Sequence, residues 1–222
     1  MTESHLILGN AMARSVKVSF LPTLLVMLRF AIAPFLLWDA LDGQVGLPFL
    51  TAYVIAVLSD IFDGVIARRL GVSTAALRQA DSWADRGLYG CVAIAAWNVH
   101  PDIIQTFQVP LLLILGLQAL WWILNLGKYG QPACYHTYTA KAWGLSLLVA
   151  TLAFFGAGYG GWCLGMAIAL GILHTLEEIA MTLILPTWQH DILSLFHAWK
   201  LRSAPSPSDF LSHRASNVEH QP

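Results

Sequence analysis

Four aspartates stand within 26 residues of an otherwise apolar chain: Asp60 and Asp63 in SDIFDGVIARRL, and Asp81 and Asp85 in QADSWADRG. Only 11% of the residues are charged and 57% are hydrophobic, so a cluster of this kind has a physical reason behind it. On a helix, the i, i+3 spacing of the first pair and the i, i+4 spacing of the second each put both carboxylates on one face. Unpaired aspartates are costly in a membrane, roughly 2.5–3.5 kcal/mol each at the bilayer centre and less near its surface. Something positive belongs among them. Arg68, Arg69, Arg78 and Arg86 are near in sequence, but helical spacing points them in several directions. Divalent cations match better: hard carboxylate oxygens suit Mg²⁺ or Mn²⁺, which bind a few carboxylates together with the phosphates of a substrate. The plainer alternative is a set of salt bridges at a membrane interface.

Helices must carry these pairs, and the chain is built from helices long enough to span a bilayer. The mean hydropathy of +0.62 is far above that of a soluble domain. Six apolar segments run at about 20–41, 46–66, 82–99, 103–126, 140–157 and 161–186, each near the ~20 residues that cross a hydrocarbon core. The breaks LDGQVG, NVHPD, GKYGQPACYHTYT and GAGYGG carry the glycines and prolines of turns. The expected fold is therefore an all-α integral membrane protein with six transmembrane helices. Gly64 and Ala67 continue the face of Asp60 and Asp63, leaving room beside them, and Gly71 followed by Ser73 or Thr74 suits a helix stop and a new N-cap.

Lysine and arginine alternate between the breaks. Arg14 and Lys17 precede the first span, Arg68, Arg69 and Arg78 follow the second, Lys128 and Lys141 flank the break after the fourth, and Lys200, Arg202 and Arg214 lie in the tail. The other three breaks have none. By the positive-inside rule, the N and C termini and the aspartates face the cytoplasm. Residues 1–19 form a cytoplasmic leader, with HLILGNAMARSVKVSF fitting either an amphipathic interfacial helix or a disordered stretch. Residues 20–186 form the six-span domain, and 187–222 a cytoplasmic, mostly disordered tail. A net charge of −1 excludes a nucleic-acid partner, and Cys91, Cys134 and Cys163 show neither metal spacing nor a disulfide framework.

The run D-x-x-D-G-x-x-A-R, followed after twelve residues by D-x-x-x-D, resembles the signature of the CDP-alcohol phosphotransferases. Asp60, Asp63, Gly64, Ala67, Arg68, Asp81 and Asp85 match it in order and spacing. Residues 22–34, PTLLVMLRFAIAP, are similar to the family's first-span pattern P-N-x-L-T-x-x-R-x-x-x-x-P through Pro22, Arg29 and Pro34, with Thr23 and Val26 in place of Asn and Thr. TAKAWG, residues 139–144, is faintly similar to a lysine-bearing fifth-span motif, through Lys141 alone. Leu77 stands where the family usually has a glycine that lines the cytidine pocket.

The resemblance implies a six-span phospholipid synthase, a homodimer, that transfers a phosphatidyl group from CDP-diacylglycerol to a polar alcohol and releases CMP with the help of two Mg²⁺ or Mn²⁺ ions. It implies that Asp60, Asp63 and Asp81 hold the ions with Asp85 beside them, that Asp85 is the base, and that Gly64, Ala67 and Arg68 contact the CMP moiety. DSWADR is most similar to the glycerol-3-phosphate enzymes of the family, with inositol phosphate, serine or choline as other acceptors. Arg86, Lys128 and Lys141 are the cations available to such an acceptor. The expected place is the lipid bilayer of a bacterial inner membrane, with the site toward the cytoplasm. Ion or solute transport, or a catalytically inactive scaffold, are the competing readings.

Outside the motif, Arg29 lies about eight residues into the first span and Glu178 about eight residues before the end of the sixth, matching depths from the cytoplasmic face, which suggests that they pair with each other. Glu177 lies beside Glu178, and His174 is one turn before it and reads as a core histidine. The nine tryptophans read as interfacial anchors or packing.

Overall fold

The computed structural model describes residues 20–70, 74–132, 135, 137–189 and 192–203. The leader, expected to be an amphipathic helix or a disordered stretch, the Gly71 stop, Cys134 and the end of the tail from 204 lie outside the described residues. Among the described residues every regular element is helical: α1 Leu21–Asp39, α2 Leu47–Leu70, α3 Ala75–Val99, α4 Pro101–Thr106, α5 Gln108–Tyr129, α6 Tyr138–Ala157, α7 Gly161–Ile184 and α8 Leu195–Ser203.

Local sequence accounts for the boundaries. Thr74 caps α3, its side chain accepting from the Leu77 N–H at 3.1 Å. Leu77 itself is half-buried in the first turn of α3. His100, at φ −135° and ψ 65°, leaves the helical conformation before Pro101 and stops α3. The segment expected at 103–126 is interrupted at Phe107, separating α4 from α5. Pro110 explains the break, because it has no N–H to offer the carbonyl of residue 106. Gly130, at a φ of 69°, ends α5 while its N–H bonds to the Leu126 carbonyl at 3.0 Å.

Among the described residues five helices are long and apolar enough to cross a membrane: Leu21–Asp39, Leu47–Ile66, Gln108–Tyr129, Tyr138–Ala157 and Gly161–Ile184. The expected third span is not among them. It lies in α3, which is 25 residues long, but Arg78, Asp81, Asp85 and Arg86 make its first half polar. The apolar remainder from Gly87 to Val99 covers only about 20 Å at 1.5 Å per residue. The stretch expected to be mostly disordered from 187 also contains the nine-residue helix α8.

The described residues form two compact units. One takes in those up to Phe107 together with Leu148–Leu164, and the other Gln108–Leu147 and the described residues from Gly165 on. In the first unit α1 packs along both α2 and α3. Each of the three presents a stripe spaced four-three-four-three, the repeat of a helix–helix seam. In α1 the stripe is Pro22, Val26, Arg29, Ala33 and Leu36, all buried. In α2 it is Phe49, Tyr53, Ala56, Asp60 and Asp63, and in α3 Asp81, Asp85, Leu88, Val92 and Ala95. Of these, Ala33, Leu36, Phe49, Tyr53, Ala56, Leu88, Val92 and Ala95 join Phe154 and Phe155 in one core.

In the second unit Trp121, Tyr135, Met181, Leu185, Ile192 and Ala198 make a smaller core. A methyl group added at Gly171 would meet Ile114 and the Trp143 ring, so glycine permits that close approach.

Candidate metal and phosphoryl-transfer site

The polar ends of the three stripes meet around one side chain. Arg29 sits on the packed face of α1, and its residue is 0% exposed. Its Nη1 donates to Asp60 Oδ1 at 2.8 Å and also to Asp85 Oδ1. Its Nη2 donates to Asp63 Oδ2 and to Asp81 Oδ1. Nε is buried without a hydrogen-bond partner. One guanidinium thus bridges the pair on α2 and the pair on α3. Because α1 runs along both helices, it brings together two carboxylate pairs that lie on different elements.

This corrects the pairing expected from depth. Arg29 engages the aspartates, and the side chain facing Glu178 is His174, with Nε2 at 3.6 Å from Oε2. Depth along a helix was readable from the sequence, whereas the neighbouring helix was not. The arginine that sits among the aspartates is also none of the four nearest in sequence. The signal that could have found it was the helical stripe, since Arg29 shares a face with Val26 and Ala33.

The carboxylates differ in exposure. Asp63 is buried, while the side chains of Asp60, Asp81 and Asp85 are 43%, 33% and 35% exposed. One side of the cluster is therefore open to an incoming ligand. Oxygens of Asp60, Asp63 and Asp81 lie within 4.8 Å of one another. Three hard oxygen donors that close, on short side chains anchored in two helices, fit Mg²⁺ or Mn²⁺. Asp85 stands outside this trio and joins it through Arg29.

The remaining expected site residues are spread more widely. Gly64 is half-buried in α2 directly after Asp63. The side chains of Ala67 and Arg68 lie outside the described residues. Arg86 is exposed on α3, its guanidinium 5.2 Å from the centre of the Trp83 ring. Lys128 and Lys141 belong to the second unit. There Lys128 Nζ donates to the carbonyls of Thr182 and Leu183 at 2.7 and 3.0 Å, and Lys141 Nζ lies 5.5 Å from the centre of the Tyr138 ring.

The second unit also has a polar cluster. Thr139 Oγ1 donates to Glu177 Oε2, and the Leu195 N–H donates to Glu177 Oε1 at 3.1 Å, which ties down the start of α8. Thr137 and Thr139 each place a hydroxyl 3.4 Å from His174 Nδ1. Tyr129 donates to the Thr182 and Leu185 carbonyls at the end of α7. Burial pushes the Tyr135 hydroxyl above the usual tyrosine range.

Comparison with known proteins identifies the family. The sequence pattern of the CDP-alcohol phosphatidyltransferases matches residues 19–175, more than half of the chain. The chain belongs to this family. It is also 32% identical over 99 residues to the chloroplastic CDP-diacylglycerol–glycerol-3-phosphate 3-phosphatidyltransferase 1 of rice, Oryza sativa subsp. japonica. That match takes in 43% of this chain and 30% of the rice protein, so the chain spans about a third of that relative. No solved structure matches. As a CDP-alcohol phosphatidyltransferase, the chain carries its acidic signature on α2 and α3, where the two pairs face Arg29.

Proposed function

We propose that this protein transfers the phosphatidyl group of CDP-diacylglycerol to glycerol 3-phosphate, releasing CMP. The observation that carries the reading is the convergence of Asp60, Asp63, Asp81 and Asp85 on one point in a chain of this family. Asp60, Asp63 and Asp81 are the residues that would hold two Mg²⁺ or Mn²⁺ ions, with Asp85 beside them. When bound, such ions neutralise a pyrophosphate and stabilise charge that develops on a transferring phosphoryl group. Gly64, Ala67 and Arg68 bind the CMP moiety.

Asp85 takes the proton from the acceptor hydroxyl. The acceptor oxygen then bonds to the phosphorus nearer the lipid, the bond from that phosphorus to the CMP oxygen breaks, and CMP departs with the bonding pair. Asp85 suits the base because its carboxylate stands apart from the trio and is partly exposed, so an acceptor can reach it. Arg86, exposed on α3, is the cation offered to a phosphorylated acceptor. The acyl chains remain in the bilayer, which is why such a transferase resides in a membrane. The basic breaks support six spans over 20–186, with α3 supplying the third, cytoplasmic termini, and a site facing the cytoplasm of a bacterial inner membrane. The working unit is a homodimer.

The test is an acceptor screen. Purified protein receives CDP-diacylglycerol, Mn²⁺ and, in turn, glycerol 3-phosphate, inositol phosphate, serine or choline, and CMP release is measured. Glycerol 3-phosphate is expected to give the fastest release. Release with another alcohol alone would overturn the acceptor, and release with none would overturn the transferase reading.

A further inference from the structure

We propose that Arg29 is a built-in counter-ion of the four aspartates, and that it competes with divalent cations for the same carboxylate oxygens. The proposal rests on the reading of the aspartates as cation ligands. Arg29 takes one oxygen from each of the four carboxylates, including the three that lie within 4.8 Å of one another. A guanidinium keeps its charge at any working pH and has no lone pair to donate. It cannot share those oxygens with a dication at close range, so loading the site moves it aside.

The fold restricts where it can go. Arg29 is wholly buried on the seam of α1, with Val26 and Ala33 one turn away on either side. Its stem cannot swing out to water, so displacement is a rotation of the side chain within the site. The buried Nε has no hydrogen-bond partner, so the four carboxylates do not satisfy all of the arginine's donors. Two consequences follow. The protein tolerates the loss of its cations, because Asp63, which is buried, keeps a charged partner. Its cation affinity is also set below what the carboxylates alone would give, since every loading event must first break the arginine contacts.

The experiment compares the full chain with Arg29→Gln and Arg29→Lys, each purified in detergent and stripped with chelator. Free Mn²⁺ is followed by electron paramagnetic resonance during titration, and melting is recorded in chelator and in Mn²⁺. Arg29→Gln should melt earlier than the parent in chelator and recover with Mn²⁺, and should bind Mn²⁺ about tenfold more tightly, within the usual range of coupling between ligands. Arg29→Lys keeps the charge but loses the two-pronged fork, so it secures a folded comparison and should bind Mn²⁺ with intermediate affinity. Unchanged or weaker Mn²⁺ binding in folded Arg29→Lys would overturn the competition while leaving the cation site intact. If the parent and both variants bind no Mn²⁺, the cation reading of the aspartates falls and the competition falls with it.

Discussion

The two units each bury a polar cluster among apolar helices, and the two clusters are balanced in opposite ways. In the second unit partners are matched locally. Lys128 meets the Thr182 and Leu183 carbonyls at the end of α7, Tyr129 shares that of Thr182 and adds that of Leu185, Glu177 receives a hydroxyl and a backbone N–H, and Glu178 faces His174. In the first unit four carboxylates crowd one guanidinium. Among those five groups negative charge is in excess, and three of the carboxylates remain partly exposed. A cluster whose donors and acceptors balance can serve as scaffold. One that concentrates a single sign of charge and opens to solvent is arranged for an incoming partner of the opposite sign.

The largest effect should come from removing cations. Chelator is expected to abolish CMP release, and Mg²⁺ or Mn²⁺ to restore it, because a pyrophosphate cannot join four carboxylates without positive charge. Full activity in chelator would place the first cluster in the same structural class as the second.

Next in size are the aspartates taken singly. Asp85→Asn should fold, bind Mn²⁺ and lose at least ~10² in rate, the usual contribution of a general base. Asp63→Asn should weaken Mn²⁺ binding itself, so that excess Mn²⁺ recovers part of the rate. Equal rescue of both variants by Mn²⁺ would make Asp85 mainly a ligand.

The second unit should answer differently. Lys128→Met removes two charge-assisted hydrogen bonds to α7 and should lower stability by about 2 kcal/mol, measured by thermal or denaturant unfolding. A scaffold role leaves the KM for the acceptor unchanged, whereas a rise in that KM with stability intact would move Lys128 into the acceptor site. The smallest effect is expected at Thr74→Ala, which deletes the cap of α3 and should cost about 1 kcal/mol. Since α3 carries Asp81 and Asp85, a loss of Mn²⁺ affinity larger than the loss of stability would show that the cap also sets their register.

Much of this protein was legible along the chain because the relevant spacing is short. The i, i+3 and i, i+4 aspartate pairs, the glycine-bearing breaks, the Thr74 cap and the long apolar helices all depend on residues within a few turns of each other. The acidic motif and the first-span pattern also led directly to the family that the comparison establishes. The break at Phe107 had a readable cause in Pro110, although the apolar composition of 103–126 concealed it.

What only the tertiary structure decided is which helices become neighbours. Matching depth suggested Arg29 with Glu178. The packing of α1 along both α2 and α3 instead sends the guanidinium to Asp60, Asp63, Asp81 and Asp85, at sequence separations of 31 to 56 residues. The Glu177 contact that ties down α8 was likewise hidden, because it joins the middle of one helix to a backbone N–H 18 residues away. Helical periodicity fixes the face on which a side chain stands. Its partner depends on which faces are buried together, and apolar stripes of similar spacing are too alike to specify that from one chain alone.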